Sequence, residues 1–484
     1  MSFLKLLLPG LLVFVFSGLY AQTNALYSYQ DLSHLYYSKQ KDSLKKIWSC
    51  PDTYKVKETQ KKYKEFWDDR TDFITRAITK DNYVHDREIG DYIDGIIAQI
   101  TEGNKQLIPV KPLLLIDRSA SVNAYSIGGN VIAVNLGLIS FAETREELAL
   151  VIAHELSHNI LRHAENSMRE RAEWFSSDEY KQSLNAVLDS KYERLSRLKK
   201  VLEGYSFNRS RHQRYHESDA DSLAIVLLKR SAIPFNARVF LRLDSADILY
   251  RQSLKEPVMN YFVAYHLPFE ESWTKRRSKG LSTRAYNFRD TTGIEDSLKT
   301  HPDCVDRYQH TLARSTPNAR LTPVPAAIRD KSDKILLWNM YYNMNLTQCL
   351  YRIFMEKDRG NTDKWYDFML SNVFAALYYS DRQLNRFNAV GIIPKEYISK
   401  NYYELQTMLE QIPRESLEQY CKSLQGESFW SSLTPAEKGL KGLMYTLALD
   451  PDNSEKNKAR AAREFATNNS ASMYCEFSDN FEKK

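Results

Sequence analysis

Apolar positions recur at helical spacing through most of this chain. In residues 88–102, Ile89, Tyr92, Ile93, Ile96, Ile97 and Ile100 fall on one face and predict an amphipathic helix. Residues 22–84 before it are rich in Lys, Tyr and Asp and read as a helical lead-in. From Leu113 the pattern changes. Leu113-Leu114-Leu115-Ile116 and Val131-Ile132-Ala133-Val134 predict two short strands, with turn chemistry at Gly128-Gly129-Asn130 between them. Thr144 with Glu147 three residues on is a capping-box signature, and Leu148, Val151, Ile152, Leu156 and Ile160 continue with helix periodicity.

Residues 166–214 are strongly charged with sparse Leu and Val, the pattern of a solvated helical excursion that ends in the basic stretch 209–214. A second amphipathic helix is expected to start near Glu217, with Ala220, Leu223, Ala224, Leu227 and Leu228 on one side, and to stop before Pro234. Pro317, Pro323 and Pro325 mark a linker. Helical patterning then resumes over 335–470, with Trp365, Phe368, Met369, Val373, Ala376 and Leu377 on one segment and residues 440–449 on another. The Asp450-Pro451-Asp452-Asn453 turn resembles tetratricopeptide wording, but no 34-residue self-similarity accompanies it. The fold class expected is mainly α, of the α+β kind, with one small sheet and an all-helical C-terminal domain.

The N-terminus has a different character. Lys5 precedes an apolar run over residues 6–16, and Leu19-Tyr20-Ala21 offers a small-residue cleavage site before Gln22. Pro9 and Gly10 interrupt the run, which is shorter than the roughly 20 residues that span a bilayer. Residues 1–21 are therefore expected to be a signal peptide, followed by a helical lead-in over 22–84, a domain over 85–314 that contains the strands and both amphipathic helices, a linker over 315–333 and a helical domain over 334–484. No later run reaches the length of a membrane span.

Composition narrows the function classes. With 484 residues at 43% hydrophobic and 26% charged, the chain is long enough for two or three domains with real cores, which excludes disordered, collagen-like and disulfide-knot readings. A net charge of +6 over this length gives no tract dense enough to follow a phosphate backbone, so nucleic acid is not an expected partner. The five cysteines show no Cys-x-x-Cys spacing and encode no zinc knuckle.

His154-Glu155-Leu156-Ser157-His158 is the H-E-x-x-H pattern on a predicted helix. One turn of spacing puts both imidazoles on one face, where they can grip a single zinc ion. A catalytic zinc takes three protein ligands and keeps a fourth position open, so a third ligand must come from elsewhere. Glu217 is the candidate, with His216 and Asp219 as competitors whose side chains point off the face that Glu217 shares with Asp221. Asp221 would then accept a hydrogen bond from a ligand imidazole and fix its tautomer. Glu155 cannot easily ligate beside its helical neighbours but can reach a water there, which makes it the candidate general base. An oxyanion-stabilising donor is also needed, and spacing does not identify one.

Taken with their context, these residues resemble a known family. Asn123-Ala124-Tyr125-Ser126-Ile127-Gly128-Gly129, Glu147-Leu148-Ala149 leading to His154–His158, Arg162-His163, the run from Glu217 to Asp221, and Thr300-His301-Pro302 with Arg307 resemble the HtpX and BepA type of zinc metallopeptidase, metallopeptidase family forty-eight of the gluzincins, over about residues 85–310. The resemblance implies a zincin-like domain and a zinc endopeptidase, with His154, His158 and Glu217 as zinc ligands and Glu155 as base. It also implies an edge strand around Val131, Ile132, Ala133 and Val134, entered through Asn123 and Ala124, that holds an extended substrate by backbone pairing. By the same resemblance His301 lies near the metal, either covering it in a resting state or stabilising the oxyanion. Arg307 is expected to make a structural ion pair, with contact to the active site as the alternative.

HtpX-type members carry several membrane spans and this chain shows none, so the resemblance is to the soluble, exported branch, whose tetratricopeptide repeats are not evident in residues 335–470. The function expected is an exported zinc endopeptidase acting in envelope protein quality control, in the periplasm of a Gram-negative host or otherwise secreted. The alternatives are a chaperone-like binding protein with a latent, His301-gated site, and a module that uses zinc only for structure. Expected partners are unfolded or extended polypeptides, with the C-terminal helices offering peripheral membrane or envelope-complex association.

Overall fold

The computed structural model describes residues 34–190, 193–244, 246, 250–275, 304–426, 428–451, 454–470 and 472–482, with the side chains of 200–215, 428–429 and 482 left aside. The expected signal peptide, the Thr300-His301-Pro302 motif and the lead-in before His34 lie outside the described residues. The described chain is mainly helical with one four-stranded sheet, as the hydrophobic pattern predicts.

Two helices, α1 (His34–Ile47) and α2 (Lys57–Ala77), precede a two-residue strand β1 (Tyr83–Val84) and the long apolar helix α3 (Arg87–Gly103). Helix α3 begins where the Asp86 carboxylate accepts the Ile89 N–H, and its Ile89, Ile93, Ile96, Ile97 and Ile100 are all fully buried. Strands β2 (Leu113–Asp117), β3 (Ala124–Gly128) and β4 (Val131–Asn135) follow, and the sheet order is β1-β2-β4-β3.

This order corrects two expectations. The Gly128-Gly129-Asn130 turn joins β4 to β3, not to the Leu113 strand, because β2 and β4 run parallel and no tight turn can connect parallel neighbours. Gly129 and Asn130 sit at φ of 57° and 61°, the left-handed pair that a two-residue hairpin demands. Secondly, Val131–Val134 is not an edge. Strand β4 pairs with β2 on one side and β3 on the other, so its backbone groups are taken up and cannot hold a substrate strand. The edge beside the helix that carries the H-E-x-x-H motif, Arg145–Ile160, is β3, residues 124–128.

Both faces of the sheet are covered, which explains the unbroken apolar run in β4. Ile116, Ile132 and Val134 point into a core shared with α3 and the later helices, while Leu115, Val131 and Ala133 pack against Trp48, Tyr63 and Trp67 of the N-terminal helices. The short helix α4 (Leu136–Phe141) leads to α5 (Arg145–Ile160), whose Thr144–Glu147 capping box forms in full. Helix α6 (His163–Ser176) packs on α2, α7 (Asp178–Leu188) follows it, and α8 (Arg194–Arg230) returns to pack along α5. Helix α8 starts well before the expected Glu217. The charged residues from Arg194 onward are good helix formers with no proline among them, so the helix persists where the apolar stripe does not.

After α9 (Arg238–Asp244), α10 (Val258–Val263) and α11 (Cys304–Thr311), the segment expected as a linker is pinned to the N-terminal end of α5. The Val324 N–H donates to the Glu143 carbonyl, the Arg145 N–H donates to the Thr322 carbonyl, and α12 (Ala326–Tyr342) already begins within it. One continuous core runs from Ile89 and Leu148 to Trp338, Phe368 and Tyr420, and within it α12 packs on α4 and α3. A buried Asp333 carboxylate accepts from Ser140 of α4 and from Arg352, and this fastens the junction. Among the described residues no helix is long and apolar enough to cross a membrane. All five cysteines are free, with Cys349 and Cys421 buried.

Candidate active site

Helix α5 carries His154 and His158 one turn apart on its buried side, and their Nε2 atoms are 3.0 Å from each other. Helix α8 lies across them and brings in Glu217, whose Oε2 is 3.3 Å from the His154 Nε2 and whose Oε1 is 3.5 Å from the His158 Nε2. Four donors placed tetrahedrally about 2.0–2.1 Å from a zinc ion are about 3.4 Å apart. The two imidazoles and the carboxylate therefore already stand at the mutual spacing such a centre requires, with all three donor atoms within 4.8 Å of one another. The donor chemistry, two neutral nitrogens and one anionic oxygen, also suits zinc. Of the competing ligands, Asp219 is exposed and His216 turns aside to stack on His163, so neither joins this group.

The back of the site is a buried ion-pair relay. Asp221, one turn after Glu217, lies 2.9 Å from the His154 Nδ1 through its Oδ1. Arg307 of α11 donates to the same carboxylate twice, from Nε at 2.8 Å and from Nη2 at 2.6 Å, while its guanidinium lies 4.4 Å over the Phe240 ring. Burial works against charge on Asp221, but hydrogen bonds from His154 and Arg307 outweigh it and hold the carboxyl down at about 2. Burial likewise disfavours the His154 cation, yet the bonds to Asp221 and Glu217 and the nearby Glu155 raise its pKa to about 9 without metal. The expected structural ion pair of Arg307 thus reaches the site itself, and its Nη2 is 3.4 Å from the His154 Nδ1.

Glu155 is 4% exposed, and its Oε1 is 4.0 Å from the His154 Nε2, on the rim of the donor group and not in it. The segment after α5 completes the surroundings. Asn159 ties the helix to the edge of the sheet through Ser126 at 2.5 Å and the Val131 carbonyl at 3.4 Å. Arg162 takes a left-handed φ of 56° and turns the chain into α6, whose first residue, His163, sets its Nδ1 2.7 Å from the His158 Nδ1. Burial first, and then the neighbouring His216, push the His163 pKa down to about 4. The Arg162-His163 pair was visible in the sequence as a motif, but nothing in its spacing disclosed this contact.

Strand β3 runs beside these helices. Ala124 is buried and Asn123 half-buried, with the Asn123 carbonyl accepting from the Asn135 N–H. A bulge between Ser126 and Gly128 leaves the Ile127 carbonyl to accept from both Nε and Nη2 of Arg70 on α2. Trp48 packs over Gly128 and Gly129, so the N-terminal helices close the far end of the edge. His301, expected near the metal, lies outside the described residues.

Two comparisons with known proteins bear on this part of the chain. The family model described as "Peptidase family M48" matches residues 91–315, which include every residue of the donor group and the relay. A protein of Vibrio cholerae serotype O1, provisionally named a beta-barrel assembly-enhancing protease, is 26% identical over 181 residues, a match that covers 36% of this chain and 36% of that protein. The resemblance read from the motifs holds at the level of the family, and this chain matches about a third of the relative's length.

Proposed function

With residues 91–315 a peptidase family M48 domain, we propose that the protein is a zinc-dependent endopeptidase in which His154, His158 and Glu217 hold the metal and Glu155 is the general base. The observation that carries this reading is the convergence of those three donors, with a buried carboxylate on their rim. Zinc bound there would supply Lewis acidity, acidifying a water and polarising the scissile carbonyl. Glu155 takes the proton from the attacking water and delivers it to the leaving amine, so peptide hydrolysis balances with the carboxylate restored. The Asp221–Arg307 pair keeps the His154 proton on Nδ1 and its Nε2 turned to the donor group.

The substrate class we propose is extended or unfolded polypeptide, paired by its backbone to the β3 edge near Ala124 and Ser126. Such pairing asks little of sequence, as quality control of damaged proteins requires. We extend the cellular setting from the relative's name: an exported enzyme acting on envelope proteins, in the periplasm if the host is Gram-negative.

The test is degradation of casein by the mature chain, with zinc content measured on the same samples. Wild type is expected to hold about one zinc and to cleave, while Glu155→Gln keeps the zinc and loses about 100-fold or more in kcat. Cleavage by Glu155→Gln at the wild-type rate would remove Glu155 from the mechanism. Casein binding without cleavage by zinc-loaded wild type would favour a latent, chaperone-like protein.

A further inference from the structure

We propose that His163 is a positioning residue for the metal centre, its Nδ1 accepting a hydrogen bond from the Nδ1–H of His158 and so fixing the tautomer in which the His158 Nε2 faces the metal. This rests on the zinc reading above and extends it to a residue that the donor set does not include.

The argument is one of valence. If His158 offers an Nε2 lone pair to the donor group, its one remaining proton must sit on Nδ1. The atom 2.7 Å from that Nδ1 is the Nδ1 of His163, which must then be the acceptor, with its own proton on Nε2. The separation is that of a good hydrogen bond, and the rings stand at 74° to each other, so one ring nitrogen can meet the other edge-on.

The local backbone makes this contact possible. Helix α5 ends at Ile160, and the left-handed residue Arg162 reverses the chain so that His163 comes back over His158. Had the helix continued, residue 163 would lie more than one full turn beyond residue 158 and out of reach. His216, the residue before Glu217 on α8, stacks on His163 at 4.2 Å with the planes 10° apart. The second imidazole ligand is thereby tied to the helix that supplies the carboxylate ligand.

The two imidazoles are backed differently. His154 rests on the Asp221 carboxylate with its Arg307 counter-ion, whereas His158 rests on an imidazole. An imidazole acceptor orients its partner without adding a further negative charge to a pocket that already holds Glu155, Glu217 and Asp221.

Three substitutions separate orientation from simple packing. His163→Asn keeps an oxygen acceptor at the position of Nδ1, His163→Phe keeps a ring against His216 but no acceptor, and His163→Ala keeps neither. The measurement is the zinc dissociation constant by chelator competition on protein shown to be folded by circular dichroism, with casein kcat and KM measured separately. Removing the acceptor is expected to weaken zinc about 10- to 100-fold in both the phenylalanine and alanine variants, with the asparagine variant recovering most of the loss. Wild-type zinc affinity in His163→Phe, or equal loss in His163→Asn and His163→Phe, would overturn the proposal. If the phenylalanine variant does not fold, the alanine and asparagine variants make the same comparison. His154→Ala and Glu217→Ala serve as the reference: if these also leave zinc binding unchanged, the metal site itself is misassigned, whereas loss in these alone removes only the role of His163.

Discussion

Replacing Arg307 by methionine removes a buried guanidinium and both of its hydrogen bonds to Asp221 while keeping an unbranched side chain over Phe240. Asp221 then stays buried with His154 as its remaining partner from the relay. Its carboxyl is held from the usual carboxylate range down to about 2, a depression worth about 2 kcal/mol of stability at neutral pH. Removing one partner of a buried pair costs about 3–5 kcal/mol, and the surviving contact to His154 puts the expectation near 3. The sign with pH follows from the direction of the shift. Asp221 stabilises the wild-type fold above its unfolded pKa near 4, and that contribution is lost as pH falls through about 2. Without Arg307 its folded pKa rises, so protonation relieves the variant, and the difference from wild type shrinks as pH falls from 7 toward 4. Urea unfolding of the metal-free proteins at both pH values measures this, with the Arg307→Met/Asp221→Leu double variant as control. A loss below about 1 kcal/mol at pH 7, the level of an exposed pair, would refute the reasoning. So would a loss that does not change with pH, or a double variant no more stable than the single one.

Further outcomes follow from other parts of the structure. Zinc at about 100 times its dissociation constant should raise the unfolding free energy by about 2.7 kcal/mol and chelator should reverse this; no shift on loading would contradict a ligand set built into the fold. Because His154 titrates at about 9 without metal, zinc must displace its proton, and apparent affinity measured by competition should climb as pH rises toward 9. Gly129→Ala puts a Cβ 2.6 Å from the Trp48 ring at a φ of 57°, so a stability loss of at least about 1–2 kcal/mol is expected in urea titrations, with faster tryptic cleavage in residues 34–77. A neutral result would mean that Trp48 does not rest on this turn. Burial pushes the Cys349 and Cys421 thiols well up, so pulse alkylation read by mass spectrometry should modify them only on unfolding, after Cys50, Cys304 and Cys475.

The sequence by itself determined what local chemistry can encode. The H-E-x-x-H spacing put two imidazoles on one helix face, the Thr144–Glu147 box set where that helix begins, and the isoleucines of α3 marked a buried face, because each depends only on residues within a turn or two of one another. Glu217 and Asp221 were legible for the same reason, one turn apart on a second helix, although their meeting with His154 joins helices some sixty residues apart in the chain. What needed the fold was every relation without a period. Leu113–Ile116 and Val131–Val134 were recognisable as strands, but which neighbours they take is settled by pairing across the sheet, and that made β4 an interior strand and β3 the edge. The start of α8 escaped because a solvated helix carries no apolar stripe to announce it. The contact of His163 escaped because one left-handed residue, Arg162, sets its direction, and the ion-pair partner of Arg307 because it lies 86 residues earlier in the chain. Periodicity reports a residue's own helix or strand; the acceptor behind a ligand, the counter-ion behind that acceptor and the free edge beside them arise only when separate elements pack, so tertiary structure alone decided them.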